Sequence, residues 1–342
     1  MRRLISPGLA LALALGACAK PKAREVHLYT WDSYDDPAVF EAFEKKTGMH
    51  VVVDYFASNE ELLAKMMGGA RGYDVIVPSD YMVGVMRQQG LISELDFTAI
   101  PNIKNIDARF RRLKADPEGK SSVPYLWGLT GIAYDSDKVK PAPDSWAALW
   151  DKGRKGRIAM LNDQREVIAM ALQAVGRPSD SHEPKDLEAA KQKLVSQKPL
   201  VKTYSSENQK ALLISGEVDL AHAWSGDLNQ AALDKPSLRF VLPKEGGFIF
   251  QDNMAVPKTA PNRDGALQLI DFLLLPENAV RIVKKVRFGT PNKAVWPLLP
   301  EEMRKNPTIV PSDEVLKRAQ PLTDVGEAAP LYDRLWTELK AG

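Results

Sequence analysis

Aromatic and carboxylate side chains occur together directly after a predicted first strand, in Tyr29-Thr30-Trp31-Asp32-Ser33-Tyr34. Trp31 and Tyr34 offer ring faces that attract cations, and the Asp32 carboxylate between them supplies the opposite charge. This combination favours the binding of an organic cation. A strand-to-helix turn with two aromatic side chains at its rim explains the same residues without any ligand. The binding interpretation gains support because the pattern recurs along the chain.

Similar residues follow the later predicted strands. Ser79 and Tyr81 follow the third strand, although Ser79 is also explained as a helix N-cap, and Asp163 and Glu166 as acids at a helix N-terminus. The candidate ligand-binding residues are Trp31, Asp32, Tyr34, Ser79, Tyr81, Asp163, Glu166, Trp224, Asp227, Phe250 and Asp252. Rings of this kind can sandwich an alkyl chain, and carboxylates can bind the ammonium groups at its ends. A diamine or polyamine is the natural ligand.

Three strand–helix units position the first of these residues. The predicted strands are 25–29, 51–53 and 73–77, and the helices that follow them are 37–47, 58–67 and 81–88. Asp36 and Pro37 are typical of a helix start and Gly48 of a helix end. Such alternation predicts a parallel sheet, in which ligands bind outside the carboxyl ends of the strands.

A second lobe is predicted to repeat this arrangement. Its strands are predicted at 157–161, 200–204 and 218–224, and helices at 165–175, 184–196, 207–215 and 327–339. Two consecutive helices are predicted at 263–275 and 276–286, a loop at 96–120, and crossings between the lobes at 128–135, 254–257 and 290–292. The first lobe then comprises residues 26–130 and 254–296, and the second comprises residues 131–253 and 297–342.

Charge and composition exclude some classes of partner. The chain has 342 residues, with 46 Lys+Arg against 44 Asp+Glu, and it has no basic stripe interleaved with aromatics. Nucleic acid is therefore not an expected partner. Without Arg2 and Arg3 of the leader, the two totals are equal, so a cationic ligand must be attracted by local charge.

The N-terminus has the features of an export signal. Residues 1–17 combine Arg2 and Arg3 with an apolar stretch that is too short to span a bilayer. Leu15-Gly16-Ala17-Cys18 resembles a bacterial lipobox, so Cys18, the only cysteine, is predicted to carry a lipid, and 18–25 to form a tether. Cleavage after Ala17-Cys18-Ala19 is the alternative. Either signal predicts an extracytoplasmic protein, and the lipid predicts one attached to a bacterial membrane.

At the candidate residues the chain resembles the polyamine-binding proteins, the spermidine and putrescine receptors, of bacterial ABC importers. The resemblance covers nearly the whole mature chain. Its most specific stretches are Tyr29-Thr30-Trp31, Tyr73-Asp74-Val75-Ile76-Val77-Pro78-Ser79, Val123-Pro124-Tyr125-Leu126-Trp127-Gly128, Pro243-Lys244-Glu245-Gly246-Gly247, Thr290-Pro291-Asn292 and Asp324-Val325-Gly326. The resemblance implies an α/β fold of two lobes, the type II-like periplasmic-binding-protein fold, which closes on a ligand in the interlobe cleft. It also implies a monomer that delivers its ligand to a permease in the inner membrane.

The resemblance also assigns roles to individual residues. The family's ligand-contacting aromatics match Trp31, Tyr34, Tyr81 and Trp224, its acids match Asp163, Glu166 and Asp252, and Ser79 matches a polar contact. Spermidine receptors carry a tryptophan at the place of Phe250 and a glutamine at that of Leu322. Asp227 matches an aspartate of the putrescine receptors, which have another where this chain has Ser33. These departures favour putrescine and leave spermidine open.

Other functions remain alternatives. Two carboxylates near tryptophans also fit a glycoside hydrolase, but the four histidines are scattered and no catalytic or phosphate-binding motif is present. A receptor for another organic cation or for ferric ion is a second alternative, although tryptophan and phenylalanine cannot ligate iron. A sensor that presents its closed form to a membrane partner is compatible with transport. No cofactor is expected.

Overall fold

The computed structural model describes residues 24–32, 34–111 and 116–341. The predicted signal peptide, Cys18 and most of the tether lie outside these residues, as does Ser33. Within the described part, the strands are β1 Arg24–Trp31, β2 Met49–Phe56, β3 Val75–Ile76, β4 Val123–Asp135, β5 Ile158–Met160, β6 Val201–Tyr204, β7 Leu220–Trp224, β8 Leu238–Val241, β9 Gly247–Met254 and β10 Ala319–Pro321. The helices are α1 Pro37–Thr47, α2 Asn59–Met67, α3 Asp80–Gln88, α4 Gln164–Ala174, α5 Pro184–Gln197, α6 Gln209–Ser215, α7 Ser225–Asp234, α8 Arg263–Leu273, α9 Pro276–Val286, α10 Glu301–Arg304, α11 Asp313–Arg318 and α12 Ala329–Ala341.

The first lobe is built on a small parallel sheet in the order β2-β1-β3. Its central strand β1 buries Val26, Leu28 and Tyr29. The Val51–Val53 run, predicted to be a buried strand, lies in β2 at the edge of the sheet, where Val52 is only half-buried. An edge strand has a neighbour on one side only, and this position explains its partial exposure.

Helix α1 shows how local sequence sets an element's ends. The Asp36 carboxylate accepts a hydrogen bond from the backbone N–H of Ala38, and Pro37 is the first helical residue. Gly48 ends the helix in the left-handed region at φ 71°, which glycine adopts without a steric cost. The predicted helix 37–47 is confirmed at both ends. It delivers the chain from the carboxyl end of β1 back to the start of β2.

The second lobe is built on a mixed sheet in the order β10-β9-β4-β7-β5-β6, with β8 also paired to β4. Strand β4 runs antiparallel to β7, β8 and β9, and every one of its residues is buried. The sequence indicates two extended stretches here, 123–128 and 131–134, whereas the structure has one continuous strand. Gly128 and Gly131 therefore lie within β4, where they allow side chains of neighbouring strands to approach closely.

Backbone hydrogen bonds link the end of β9 to the small sheet and the segment after α9 to β4. Strand β9 continues into Ala255, whose backbone exchanges two 2.9 Å hydrogen bonds with Ile76 of β3. Gly289 likewise exchanges backbone hydrogen bonds of 2.8 and 2.9 Å with Trp127 of β4. These pairings place β4, β9 and the segment after α9 side by side between the lobes.

Some elements differ from the sequence predictions. The predicted loop 96–120 contains three short 3-10 turns, and residues 146–150, for which the sequence predicts a short helix, form a 3-10 turn as well. Helices α7, α10 and α11 and strands β8 and β10 were not predicted, since most of them are short and carry few apolar residues. No helix in the described segments is long and apolar enough to span a bilayer.

Candidate functional site

A cavity of about 180 Å³ lies where the carboxyl ends of β1 and β3 face those of β5 and β7. It is lined by Trp31, Asp32, Tyr34, Tyr55, Phe56, Ala57, Asn59, Glu61, Ser79, Asp80, Tyr81, Asp163, Glu166, Ser206, Glu207, Lys210, Trp224, Asp227, Phe250, Asp252, Phe288 and Leu322. The structure therefore brings all eleven predicted site residues to one cavity. Their contact with a ligand stays a prediction.

Aromatic rings form one wall of the cavity. Trp31 donates its indole N–H to the carbonyl of Val77 at 3.0 Å, and its ring centroid lies 6.0 Å from that of Trp224 at an interplanar angle of 73°. Trp224 in turn meets Phe250 edge-on at 6.2 Å. Because Trp31 is anchored to the strand end by its own N–H, its ring face is held in a fixed orientation.

Phe288 extends this wall, although no pattern in the sequence predicts it. Its ring centroid lies 4.9 Å from that of Tyr34 and 6.2 Å from that of Phe250. Phe288 belongs to the connection after α9, which carries no motif of the aromatic–acidic kind. Gly226 makes room for it, since a Cβ there would lie 2.3 Å from the Phe288 ring.

The Asp252 carboxylate lies at the centre of a hydrogen-bond network. Its two oxygens accept hydrogen bonds from the Tyr34 hydroxyl at 2.7 Å and from the Ser79 hydroxyl at 2.6 Å. Ser79 is fixed in turn by Asn59, which accepts from the Ser79 backbone N–H and donates to its hydroxyl, both at 3.0 Å. Ser79 stands at the N-cap position of α3, but its side chain makes no capping bond there. The hydroxyl serves Asp252 instead.

Burial raises the pKa of Asp252 to about 7, against the opposing effect of the Ser79 and Tyr34 hydroxyls. The Asp163 carboxylate contributes to the same rise. Burial and the Asp252 carboxylate also raise the pKa of Tyr34 well above its ordinary value, and Asp227 adds to that rise. The Asp163 carboxylate therefore acts on Asp252, and the Asp227 carboxylate acts on its hydrogen-bond donor Tyr34.

Asp163 and Glu166 form a second acidic position. Asp163 caps α4 by accepting a hydrogen bond from the Glu166 backbone N–H at 3.0 Å, so the local explanation of Asp163 is also correct. Glu166 Oε1 accepts from Thr130 at 2.8 Å and from the indole N–H of Trp224 at 3.3 Å. Its other oxygen, Oε2, is buried and has no hydrogen-bond partner in the described part of the chain.

Burial and the Asp163 carboxylate raise the pKa of Glu166 to about 8. Burial also raises the pKa of Asp163. A buried carboxyl group with a raised pKa is stabilised in its ionised form by an incoming cation. The cation supplies the opposite charge and the hydrogen-bond donors that water supplies to an exposed carboxylate. The buried Oε2 of Glu166 is an acceptor of this kind.

Tyr81 connects the two lobes at this end of the cavity. Its hydroxyl donates to Glu60 at 3.2 Å, and its ring lies 5.7 Å from the guanidinium of Arg165 on α4. Arg165 also lies 4.6 Å over the ring of Tyr332 on α12. Sequence reasoning missed Arg165, because a basic residue in the first turn of a helix has no signal of its own.

Asp227 and Asp32 occupy the remaining acidic position. The Asp227 carboxylate lies 3.3 Å from the ammonium of Lys210, whereas Asp32 is exposed at the cavity's edge. Burial raises the pKa of Asp227, Lys210 opposes this rise, and Asp32 contributes to it. Sequence reasoning missed Lys210 as well, because a lysine near the start of a helix has no signal of its own.

These contacts come from residues that the chain delivers to comparable strand ends in two lobes. Trp31 is the last residue of β1 and Ser79 follows β3 in the small sheet, and Trp224 is the last residue of β7 in the larger one. No group of three or more histidine, cysteine or acidic side chains in the described segments has a metal-binding arrangement. The cavity is thus a set of ring faces around these three carboxylate positions, and Glu61, Asp80 and Glu207 add further acids to its lining.

Comparison with known proteins identifies the family of this chain. Residues 38–311 match the family model described as bacterial extracellular solute-binding protein. The chain belongs to this family. Its two lobes have the periplasmic-binding-protein fold that the resemblance implied, so the predicted fold class is confirmed.

The chain has relatives along its whole length. It is 36% identical over 343 residues to the spermidine/putrescine-binding periplasmic protein of Escherichia coli K12, covering all of this chain and 98% of that protein. It is 34% identical over 365 residues to the putrescine-binding periplasmic protein SpuD of Pseudomonas aeruginosa UCBPP-PA14, with both chains fully covered. A solved structure, a putative spermidine/putrescine ABC transporter from Listeria monocytogenes, superposes with a TM-score of 0.90 at 34% identity, covering 93% of this chain and 99% of that one. The first two relatives are named as binding proteins and the third as an ABC transporter.

Proposed function

We propose that this chain is an extracytoplasmic receptor that captures a polyamine, with putrescine preferred to spermidine, and delivers it to an ABC-transporter permease. The observation that carries the proposal is the cavity, in which ring faces surround buried carboxylates. The candidate residues are assigned to ligand contact on this basis, except Asp227, whose carboxylate is already paired with Lys210. The names of the relatives support the same ligand class.

The cavity has the chemistry that a flexible diammonium chain requires. Removing an ammonium from water costs several kcal/mol unless a carboxylate receives it, and we assign this role to Asp252 and Glu166. Each contact between an ammonium and the face of Trp31 or Trp224 adds about 0.5–2 kcal/mol. Closure of the lobes excludes water and strengthens these interactions.

The preference for putrescine rests on what the cavity lacks. Leu322 lines it at the place where spermidine receptors are expected to have an amide, and a leucine cannot accept or donate a hydrogen bond. Phe250 offers a smaller ring than tryptophan. A third ammonium would therefore find fewer partners than the two of putrescine.

The lobe boundaries and the anchor belong to the same proposal. The first lobe is taken as 26–130 and 254–296 and the second as 131–253 and 297–342, so that β4, β9 and the segment after α9 act as the hinge. The signal peptide 1–17 directs export, and a lipid on Cys18 holds the monomeric receptor at the membrane through the tether 18–25. No cofactor or nucleic acid takes part.

Tryptophan fluorescence tests the proposal, because Trp31 and Trp224 both line the cavity. We expect a saturable change in emission when putrescine or spermidine is added to ligand-stripped protein. Uncharged 1,4-butanediol, which has the same carbon chain as putrescine, is expected to give none. A response to the diol equal to that to putrescine would contradict the proposal. Quenching by ferric citrate alone, or turnover of an amine or a glycoside, would favour the alternatives.

A further inference from the structure

One cationic side chain lines the described cavity among its many acids. Lys210 is the second residue of α6, and its ammonium lies 3.3 Å from the carboxylate of Asp227 in the first turn of α7. The same ammonium donates a hydrogen bond to the side-chain oxygen of Gln230 at 3.2 Å. Gln230 lies one helical turn after Asp227, so one face of α7 presents two acceptors to Lys210.

Gln230 is itself fixed in place. Its amide nitrogen donates to the carbonyl of Val286 at the end of α9, which leaves its oxygen directed at Lys210. The side chains of Lys210 and Asp227 are 24% and 14% exposed. An ion pair with this little exposure is screened less than a surface pair. Its contacts with Asp227 and Gln230 therefore hold the Lys210 ammonium at the Asp227 carboxylate.

The Lys210–Asp227 ion pair affects the role of Asp227, the residue that matches an aspartate of the putrescine receptors. Asp227 was assigned to a ligand ammonium, yet an ammonium of the chain already occupies the carboxylate. A ligand ammonium and the Lys210 ammonium are chemically equivalent partners for Asp227, and two cations at one carboxylate repel each other. The other two positions differ, since hydroxyl and indole groups of the chain donate to Asp252 and Glu166. The guanidinium of Arg165 donates to the carbonyl of Thr323 and acts on the Asp163–Glu166 pair through its charge.

We propose that Lys210 is a specificity-determining residue, an internal competitor that occupies the Asp227 position and directs ligand ammonium groups to Asp252 and the Asp163–Glu166 pair. This inference rests on the proposed polyamine function. The affinity for a diamine is therefore lower than it would be if all three carboxylate positions were open to the ligand. Selectivity then depends on the distance between the two remaining positions.

The test compares putrescine with n-butylamine, which has the same four-carbon chain and a single ammonium. Calorimetric titration is carried out on the full-length protein with Lys210→Met and, as a control, Lys202→Met. Lys202 forms a 2.9 Å ion pair with Glu217 on the surface of the same lobe and does not line the cavity, so it matches the change in net charge.

We expect Lys210→Met to raise the affinity for putrescine by about tenfold or more, and that for butylamine by much less. Lys202→Met should leave both affinities near those of the wild type. An unchanged or weakened putrescine affinity in a folded Lys210→Met protein would overturn the inference.

A double variant keeps the test decisive if Lys210→Met does not fold. Lys210→Met with Asp227→Asn removes both charges together, so no unpaired ion is buried. Putrescine should then bind within about threefold of the wild type, because Asp227 was not available to it. A loss of about tenfold or more for putrescine alone would show that Asp227 holds a ligand ammonium, and would overturn the inference. Failure of the wild type to bind any amine would instead contradict the proposed function.

Discussion

Asp252 joins the ligand cavity to the first lobe through two hydroxyl groups. Tyr34 and Ser79 come from the ends of β1 and β3, and both donate to this carboxylate of β9. A buried carboxylate with two such donors keeps a fixed orientation. Its remaining acceptor capacity is then directed at whatever enters the cavity.

Loss of the Asp252 carboxylate or of the Trp224 ring should weaken binding without unfolding the chain. Asp252→Ala removes the partner of one ammonium, and Trp224→Ala removes a ring face, so each is expected to weaken putrescine binding by about tenfold or more. Calorimetry measures the affinity, and circular dichroism checks the fold. Asp144→Ala, at a carboxylate whose side chain is 80% exposed, is the control. Normal binding by both cavity variants would show that the cavity is not the binding site.

The raised pKa values predict how stability depends on pH. Asp252 and Glu166 have pKa values of about 7 and 8 in the folded protein, above the ordinary 3.8 and 4.5. The folded chain therefore binds more protons than the unfolded chain between about pH 4 and pH 8, and these two groups make ligand-free stability fall as pH rises through that range. Saturating putrescine should offset the fall increasingly toward pH 8, as the carboxyl groups ionise.

Thermal unfolding from pH 5 to pH 8 measures this effect. A protein with Asp252→Asn and Glu166→Gln should lose less stability than the wild type over the same range, because neither replacement titrates. Parallel curves for the two proteins would contradict the assignment of raised pKa values to these groups.

At the residue scale, the sequence predicted the aromatic and acidic residues that occur together at strand ends. It missed the residues that contact and orient them. Trp31, Asp252 and Trp224 stand at strand ends where the pattern is visible. Asn59 and Lys210 were missed, because their roles depend on which helices pack together. Such packing has no local signature in the sequence.

The pairing of β4 with β9 sets the position of the Phe250 ring. Gly128 pairs directly with Phe250 across the two strands, and a Cβ at Gly128 would lie 2.4 Å from the end of that ring. Glycine is thus required here for close packing. The ring occupies the space over Gly128 and forms part of the cavity wall.

Gly128→Ala is therefore expected to push the Phe250 ring toward the cavity. We expect weaker putrescine binding, by about tenfold, together with a loss of stability of about 1–3 kcal/mol from overpacking. Denaturant unfolding and calorimetry measure the two effects. Adding Phe250→Leu, which shortens the side chain, should restore most of the stability but not the affinity. Wild-type binding by Gly128→Ala would show that the ring position is unimportant.

Among the elements, helices with clear end signals were predicted best. Asp36 and Gly48 define α1 to the residue, whereas α7 was missed because it begins directly at the end of β7 without a capping bond. The run at 51–53 indicated a strand but not its place in the sheet. Edge position follows from strand order, which depends on the whole fold.

Across the whole molecule, the distribution of charge matters more than its total. Lys+Arg and Asp+Glu are nearly equal in number, yet the cavity gathers acids from both lobes, including Asp32 and Glu61 from the first and Asp163 and Asp227 from the second. Like charges that face each other oppose closure, and a bound polycation removes that repulsion. We therefore expect ligand binding to favour closure.

Calorimetric titration of ligand-stripped protein with putrescine, and then with spermidine, tests the central claim most directly. The account predicts that one putrescine binds per chain, more tightly than spermidine, because the cavity provides ring faces and carboxylates for two ammonium groups and an apolar Leu322 for a third. No heat from either amine, with the protein folded and free of bound ligand, would contradict the account.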